Sequence, residues 1–383
     1  MRKWTGLLLS LVLLGSLLAG CSGKHSAENS YVYQVTGGQL SSNDEILSVN
    51  GKKINAQYFL YWLGNSIDYI EAYTLADNID WSQEYEGRPM EDYLIDDAVQ
   101  AITQYQVILD KAKEYGYKLE PADEEELANT REYYVDYFGG EEAYQRQLAS
   151  EGLDEELFTK LNTVPILYRK IYAAFLSADG PFVPSDEEFS RFLSDNGYIR
   201  AKHILLSTQD DEGNPLSDVE RSRKYQEAKD ILFQLNFATD LEETFDTLMQ
   251  ERSEDNGLTV YPGGYTFRRG EMVAPFEDTA YSMEPGQLSE IVESDFGYHI
   301  ILREPLDMEL AKDDPDIYDT FLEECFSKLL TTWWEDAKVV RYDVLDKVDV
   351  QMFYEARAKL REDAQAELEN QGLQELEVEN TQN

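Results

Sequence analysis

The period of the hydrophobic pattern changes twice along these 383 residues, and the two changes limit the fold more than any other feature. From about Glu45 to Asn196 the pattern is helical. Leu94, Ile95, Ala98, Ile102, Tyr105, Leu109 and Ala112 recur at three- and four-residue steps, one face of an amphipathic helix. Near Gly197 the texture becomes that of a strand: in Tyr198-Ile199-Arg200-Ala201-Lys202-His203-Ile204-Leu205-Leu206 one face is apolar early and the end is apolar throughout. After Pro305 the helical period returns. A helix from about Ile317 carries Trp333 and Trp334 late, Val339 to Tyr342 reads as a brief extended piece, and a last helix starts near Val350. The fold class this predicts is α+β: a compact unit over 197–305, inserted in or flanked by an all-helical domain.

Within 197–305 an acidic loop from Gln209 to Pro215 leads to a capping box, Ser217 with Glu220, which opens a helix to about Leu235. A second helix runs from about Leu241 to Arg252. A Gly-rich stretch (Gly257 to Gly264), a short strand (Tyr265 to Arg268), a short helix (Phe276 to Tyr281) and two strands ending at Arg303 complete the unit. In the helical flank, Asp123 with Glu126 after Pro121 and Ser185 with Glu188 after Pro184 mark helix starts. The tyrosines there, including Tyr58, Tyr61, Tyr133, Tyr134 and Tyr137, are expected to pack their rings in a core and keep their hydroxyls wet.

The first twenty residues fix the compartment. Arg2 and Lys3 precede an apolar run from Leu7 to Leu18 that is too short for a spanning helix and reads as a secretory signal. Leu18-Ala19-Gly20-Cys21 resembles the lipobox of bacterial lipoproteins, which implies cleavage before Cys21, acylation of its thiol and a place on the extracytoplasmic face of the cell membrane. The expected order is therefore a signal peptide (1–20), a flexible tether from lipidated Cys21 (21–43), a helical region (44–196), the α+β unit (197–305), a C-terminal helical region packing with the N-terminal one (306–360) and an acidic tail (361–383).

Charge then removes whole classes of partner. Lys and Arg number 33 against 76 Asp and Glu, a net charge of −43, so a surface that neutralises phosphates is excluded and nucleic acid is not a partner. With Cys21 acylated, Cys325 is left as a single thiol and no internal disulfide can form. The usual catalytic motifs are absent: no nucleophile elbow, no zinc-binding His-Glu-x-x-His and no phosphate loop. Three histidines and no EF-hand-type loop call for neither a metal nor any other cofactor.

Two of the three histidines carry the remaining signal. His203 and His299 both sit in otherwise apolar strand patterns, where an ionisable ring needs a partner. Around them Lys202-His-Ile-Leu-Leu206, Ser253-Glu-Asp255, Gly264-Tyr-Thr-Phe-Arg-Arg-Gly-Glu-Met272, Pro275-Phe-Glu-Asp278, Gly286-Gln-Leu-Ser289 and Gly297-Tyr-His-Ile-Ile301 occur in an order and spacing that resemble the parvulin-type peptidyl-prolyl cis/trans isomerases. The helical region, with Val49-Asn50-Gly51-Lys52 near its start, resembles the chaperone portion of PrsA- and SurA-type foldases. The resemblance implies that His203 and His299 are the paired histidines at the base of the active site. Asp255 falls at a position held by Cys or Asp, and Ser294 where a hydroxyl joins the histidine network. Met272 and Phe276 match the apolar residues that receive the proline ring. Gly264 stands near the place where many parvulins carry a pocket-lining Leu, so that wall is either more open or supplied by Tyr265 or Phe267. Phe296 replaces the Ser of some members. The Ser207-to-Glu212 loop lacks the Arg or Lys cluster that reading a phosphate needs.

The function so implied is isomerisation of X–Pro bonds in unfolded or partly folded exported polypeptides, assisting their folding outside the cytoplasmic membrane. The alternative is a membrane-anchored holdase with a weak or inactive parvulin domain. The sequence leaves open whether Asp255 acts electrostatically or only orients its neighbours, and it does not give the oligomeric state.

Overall fold

The computed structural model describes residues 30–74, 79–177, 180–210 and 212–362. The signal segment, Cys21 and residues 363–383 of the tail lie outside the described residues. The chain divides into two compact units, Met1–Phe182 with Phe326–Asn383 and Val183–Cys325.

The unit Val183–Cys325 is built on a four-stranded antiparallel sheet in the spatial order Tyr265–Phe267, Ile199–Ser207, Gly297–Glu304, Val292–Ser294. Strand alternation divides its side chains between two faces. Ile204, Leu206, Tyr298, Ile300 and Leu302 point to one face, where helices Asp218–Asn236 and Leu241–Arg252 cover them with Ala228, Ile231, Leu232, Leu235, Phe245, Leu248 and Met249. Ile199, Ala201 and Ile301 point to the other, against Phe267 and the Phe276 and Ala280 of helix Ala274–Ser282. Burial on both faces explains why the sequence of Ile199–Ser207 stops alternating towards its end.

This unit is wider than 197–305. Helix Asp186–Asp195, expected with the N-terminal helical region, and helix Met308–Asp313, expected with the C-terminal one, both belong to it. Phe189, Phe192 and Leu193 pack with Tyr198, Ala311, Ile317 and Phe321, a cluster that neither helix could bury alone. The Ser185–Glu188 and Ser217–Glu220 capping boxes both form, with Glu188 N donating to Ser185 Oγ over 3.2 Å. The cap before helix Pro121–Tyr137 lies earlier than expected: Glu120 is the N-cap and Asp123 its partner.

The other unit is mainly helical but not all-helical. Glu45–Val49, Lys52–Asn55 and Val339–Arg341 form a three-stranded antiparallel sheet with Glu45–Val49 at its centre. The hairpin turns at Asn50-Gly51, both with positive φ, the tight turn that an Asn-Gly pair favours. Around the sheet, helices Ala56–Thr74, Met90–Glu114 and Glu155–Leu176 bury Phe59, Leu60, Leu63, Leu94, Ala98, Ile102 and Leu161. The tether is also shorter than 21–43, because helix Tyr31–Val35 enters this core with Val32 and Val35, followed by Leu40. From Phe326 onward the C-terminal region packs here, and Arg357 pairs with Asp68 at 2.7 Å and with Glu151 at 3.3 Å. Tyr58 packs its ring in the core as expected but buries its hydroxyl as well, whereas Tyr133 and Tyr137 do not enter the core: they are 63% and 56% exposed on a helix that buries no residue.

Candidate active site

Register brings the two histidines together. His203 pairs across the central strands with Ile301, and His299 with Leu205, so the rings are diagonal neighbours on one face. Their Nδ1 atoms are 3.2 Å apart and both residues are buried. On one side His203 Nε2 meets Asp255 Oδ2 at 2.8 Å; on the other His299 Nε2 meets Ser294 Oγ at 2.7 Å. Four of the residues singled out in the sequence thus form one continuous chain, Asp255–His203–His299–Ser294.

The backbone explains how Asp255 reaches this position. Beyond Tyr265–Phe267, the free edge of strand Ile199–Ser207 is taken up by the turn after helix Leu241–Arg252. Leu205 N donates to Ser253 Oγ at 3.0 Å, and Glu254 N donates to Leu205 O at 2.8 Å. Asp255 then caps the short turn Asn256–Thr259 by accepting Gly257 N–H on Oδ1 at 3.0 Å. At the other end, Ser294 Oγ accepts the Phe296 N–H at 3.1 Å in the turn between the last two strands.

Donors and acceptors match along the whole chain when both imidazoles are neutral. Asp255 accepts from His203 Nε2–H, His203 Nδ1 accepts from His299 Nδ1–H, and His299 Nε2 accepts from Ser294 O–H. Burial disfavours charge on His299 and proximity to His203 adds to the effect; the Asp255 anion only partly offsets them, and the ring is held down to about 4. Burial would raise the Asp255 carboxyl, yet donors from His203, Tyr265 and Gly257 outweigh it and bring the group to about 2. Asp255 is therefore a fixed anion and His299 a fixed neutral ring across the physiological range.

Tyr265 is the member of this network that sequence reasoning did not place. Its hydroxyl donates to Asp255 Oδ2 at 2.7 Å, and burial and that bond push the phenol upward, so it remains a donor. Space for the ring end comes from Gly257, whose missing Cβ would collide with the Tyr265 hydroxyl. Glu277 is a second residue the sequence did not single out. Buried in helix Ala274–Ser282, it accepts Gly270 N at 2.7 Å and Met272 N at 3.4 Å, fixing the loop that carries Met272.

The apolar residues divide into a floor and a rim. Phe276 is buried, with its ring centre 5.1 Å from His203 and 5.6 Å from His299. Phe267 is buried against Phe276, with the ring centres 5.7 Å apart, in the same cluster. Met272 is half-buried at the edge of the same cluster. Gly264 has φ +88°, and a Cβ there would come within 2.6 Å of Ala201 O. It is a backbone requirement of the turn into Tyr265–Phe267, not a missing piece of pocket wall. Cys21 lies outside the described residues.

A histidine pair tied to a carboxylate and a hydroxyl on one sheet face, beside a Phe–Met apolar patch, defines a parvulin-type peptidyl-prolyl cis/trans isomerase. Residues 203–304 match the Rotamase family model, described as the PPIC-type PPIASE domain. The chain is PrsA-like beyond this domain. It is 25% identical over 310 residues to Foldase protein PrsA of Caldanaerobacter subterraneus subsp. tengcongensis, covering 79% of this chain and 83% of that protein. It is 27% identical over 324 residues to Foldase protein PrsA of Oceanobacillus iheyensis, covering 83% and 90%. Among solved structures, PrsA of Bacillus cereus is 21% identical, covering 82% of this chain and 99% of that one with a TM-score of 0.24.

Proposed function

We propose that the chain is an exported foldase that accelerates cis/trans exchange of X–Pro bonds in unfolded polypeptides. Cleaved before Cys21 and acylated there, it works from the outer face of the cytoplasmic membrane, with the mainly helical unit holding the client. Among the described residues no helix is long and apolar enough to cross a membrane, so lipid on Cys21 is the attachment in this reading.

The observation that carries the reading is the unbroken chain Asp255–His203–His299–Ser294 beside Phe276 and Met272. The amide barrier of about 18–20 kcal/mol comes from C–N double-bond character. Rotation removes that resonance, so the carbonyl oxygen loses negative charge and the proline nitrogen becomes a lone-pair amine. An apolar patch favours the less polarised twisted state over the planar amide. A fixed anion at Asp255, placed near the carbonyl, disfavours the charge-separated resonance form and acts in the same direction. No nucleophile and no proton transfer to the protein is needed. The histidine pair and Ser294 hold the floor and orient Asp255, and each ~1.4 kcal/mol of differential stabilisation is tenfold in rate.

The holdase-only alternative drew on Gly264 as an open wall, and that residue has a purely backbone role. The test is a prolyl-exchange assay on the intact mature chain. Wild type is expected to accelerate exchange of a short X–Pro peptide, and His203→Ala and Asp255→Asn to lose at least about tenfold of kcat/KM, the worth of one charge-assisted hydrogen bond. No acceleration by wild type sinks the enzymatic reading, and unchanged rates in both variants sink the site assignment.

A further inference from the structure

The mainly helical unit contains a cleft of about 630 Å³ that lies beside the edge strand Val339–Arg341. We propose that this cleft and strand edge bind an extended segment of unfolded polypeptide by main-chain pairing, a client site separate from the prolyl-isomerase residues. The choice of occupant rests on the foldase reading above; the site itself does not.

Main-chain geometry is the first argument. Asn50 N donates to Lys338 O at 2.9 Å and Tyr342 N to Ile46 O at 3.0 Å, with Val340 opposite Ser48 between them. In an antiparallel pair the residues between such positions turn their N–H and C=O the other way. Val339 and Arg341 therefore present their main-chain groups to the open side of the sheet. Val339 and Val340 are 36% and 41% exposed. The opposite edge, Lys52–Asn55, is blunted by the exposed Lys52 and Lys53, the usual protection of an edge against added strands. The edge Val339–Arg341 is short, and its one charge, Arg341, is drawn to Asp96 at 2.6 Å; the two valines beside it offer the apolar main-chain edge that recognition by strand addition uses.

The cleft lining supplies the second argument. Val99, Trp334 and Val339 give apolar walls, and Gln104, buried in helix Met90–Glu114, has an amide Nε2 with no acceptor among the described residues. A polypeptide carbonyl would supply that acceptor. Charge narrows the class of segment. Asp96 is already held by Arg88 and Arg341, each at 2.6 Å, which leaves the exposed Glu335 as the lining charge open to a ligand. In a chain of net charge −43, a segment with Lys or Arg beside apolar residues is the complementary one.

The experiment uses the intact mature chain and a fluorescein-labelled, proline-free peptide of alternating Val and Lys, so that X–Pro recognition plays no part. Val339→Pro removes an outward-facing N–H without touching the ladder to Glu45–Val49, and Gln100→Trp, at an exposed lining position, fills the cleft. Wild type is expected to bind the peptide saturably. Each variant is expected to weaken binding at least about tenfold, with exchange of a short X–Pro peptide unchanged. If Val339→Pro does not fold, Gln100→Trp decides. Absence of saturable binding, or equal binding by wild type and the folded variants, overturns the proposal. So does a Val339→Pro chain that merely dissociates a dimer while still binding the peptide, because the edge is then a contact between copies. Peptide capture by a chain with no isomerase activity leaves this proposal standing and removes only the active-site reading.

Discussion

His203 Nδ1 and His299 Nδ1 face each other at 3.2 Å, and one proton serves both. A second proton on His299 goes to Nε2 and removes the acceptor that the Ser294 O–H needs, which breaks the chain at Ser294. Because His299 stays neutral down to about 4, activity is expected to be level from pH 8 to about 5 and to fall as pH approaches 4. A decline centred near the ordinary histidine value of 6.5 would contradict a neutral His299. The linkage has a definite sign. Unfolded, His299 takes a proton near 6.5; folded, it resists until about 4. Stability is therefore lost as pH falls between those values, by on the order of 3 kcal/mol, and urea titrations at pH 7 and pH 4 measure it.

Much of this site was legible in the sequence because its parts are tied to backbone features that leave marks. The two histidines interrupt apolar strand runs, Asp255 closes a Ser-Glu-Asp turn, and the capping boxes at Ser185 and Ser217 form as read. The parts missed depend on contacts between distant segments. Tyr265 reads from the motif as a candidate pocket wall, and only the register of Tyr265–Phe267 against Ile199–Ala201 aims its hydroxyl at Asp255. Phe267, which carried a binding role in the motif, is buried against Phe276 on the sheet face that also carries His203. The Asn50-Gly51 hairpin had a clear local signal that the surrounding helical period concealed. Tyr133 and Tyr137 show the reverse error, since a helix with no buried residue gives its aromatic side chains no core to enter.

Tyr265→Phe deletes one of three donors to Asp255 and leaves the ring in place. The expected cost is about 1 kcal/mol of stability, with kcat/KM reduced several-fold. The distinguishing readout is the titration of Asp255, followed by carbon NMR of the carboxyl. It should move upward from about 2 towards its ordinary 3.8. Stability carried by Asp255 is present above 3.8 and is lost as pH falls towards 2, and the variant should show a smaller loss across that window. An unmoved carboxyl would reduce Tyr265 to packing.

Phe276 and Met272 separate stability from binding. Phe276 is 2% exposed, at the centre of the cluster with Phe267, Ala280 and Ile301. Phe276→Ala should cost about 3–5 kcal/mol and lose activity through loss of the floor. Met272 is half-buried on a loop fixed by Glu277. Met272→Ala should leave stability within about 1–2 kcal/mol while raising KM for an X–Pro peptide, since the truncated atoms are those a proline ring would touch. Equal effects of the two substitutions on KM and on unfolding would erase the distinction between floor and rim.

Gly264 provides a test in which sequence similarity and structure point in opposite directions. Aligned with a pocket-lining Leu of many parvulins, it suggests that Gly264→Leu should improve the enzyme by closing the wall. The structure requires the opposite. At φ +88° a side chain is strained, and its Cβ would lie 2.6 Å from Ala201 O, in the strand that pairs with Tyr265–Phe267. Gly264→Leu and Gly264→Ala are both expected to destabilise the unit by about 1–3 kcal/mol. Both should also lower kcat/KM, because Tyr265 is the next residue and a shift of its strand loosens the hydrogen bond to Asp255. Thermal unfolding and peptide exchange measured on the same samples decide the matter: a Leu variant with wild-type stability and higher activity would restore Gly264 to the pocket.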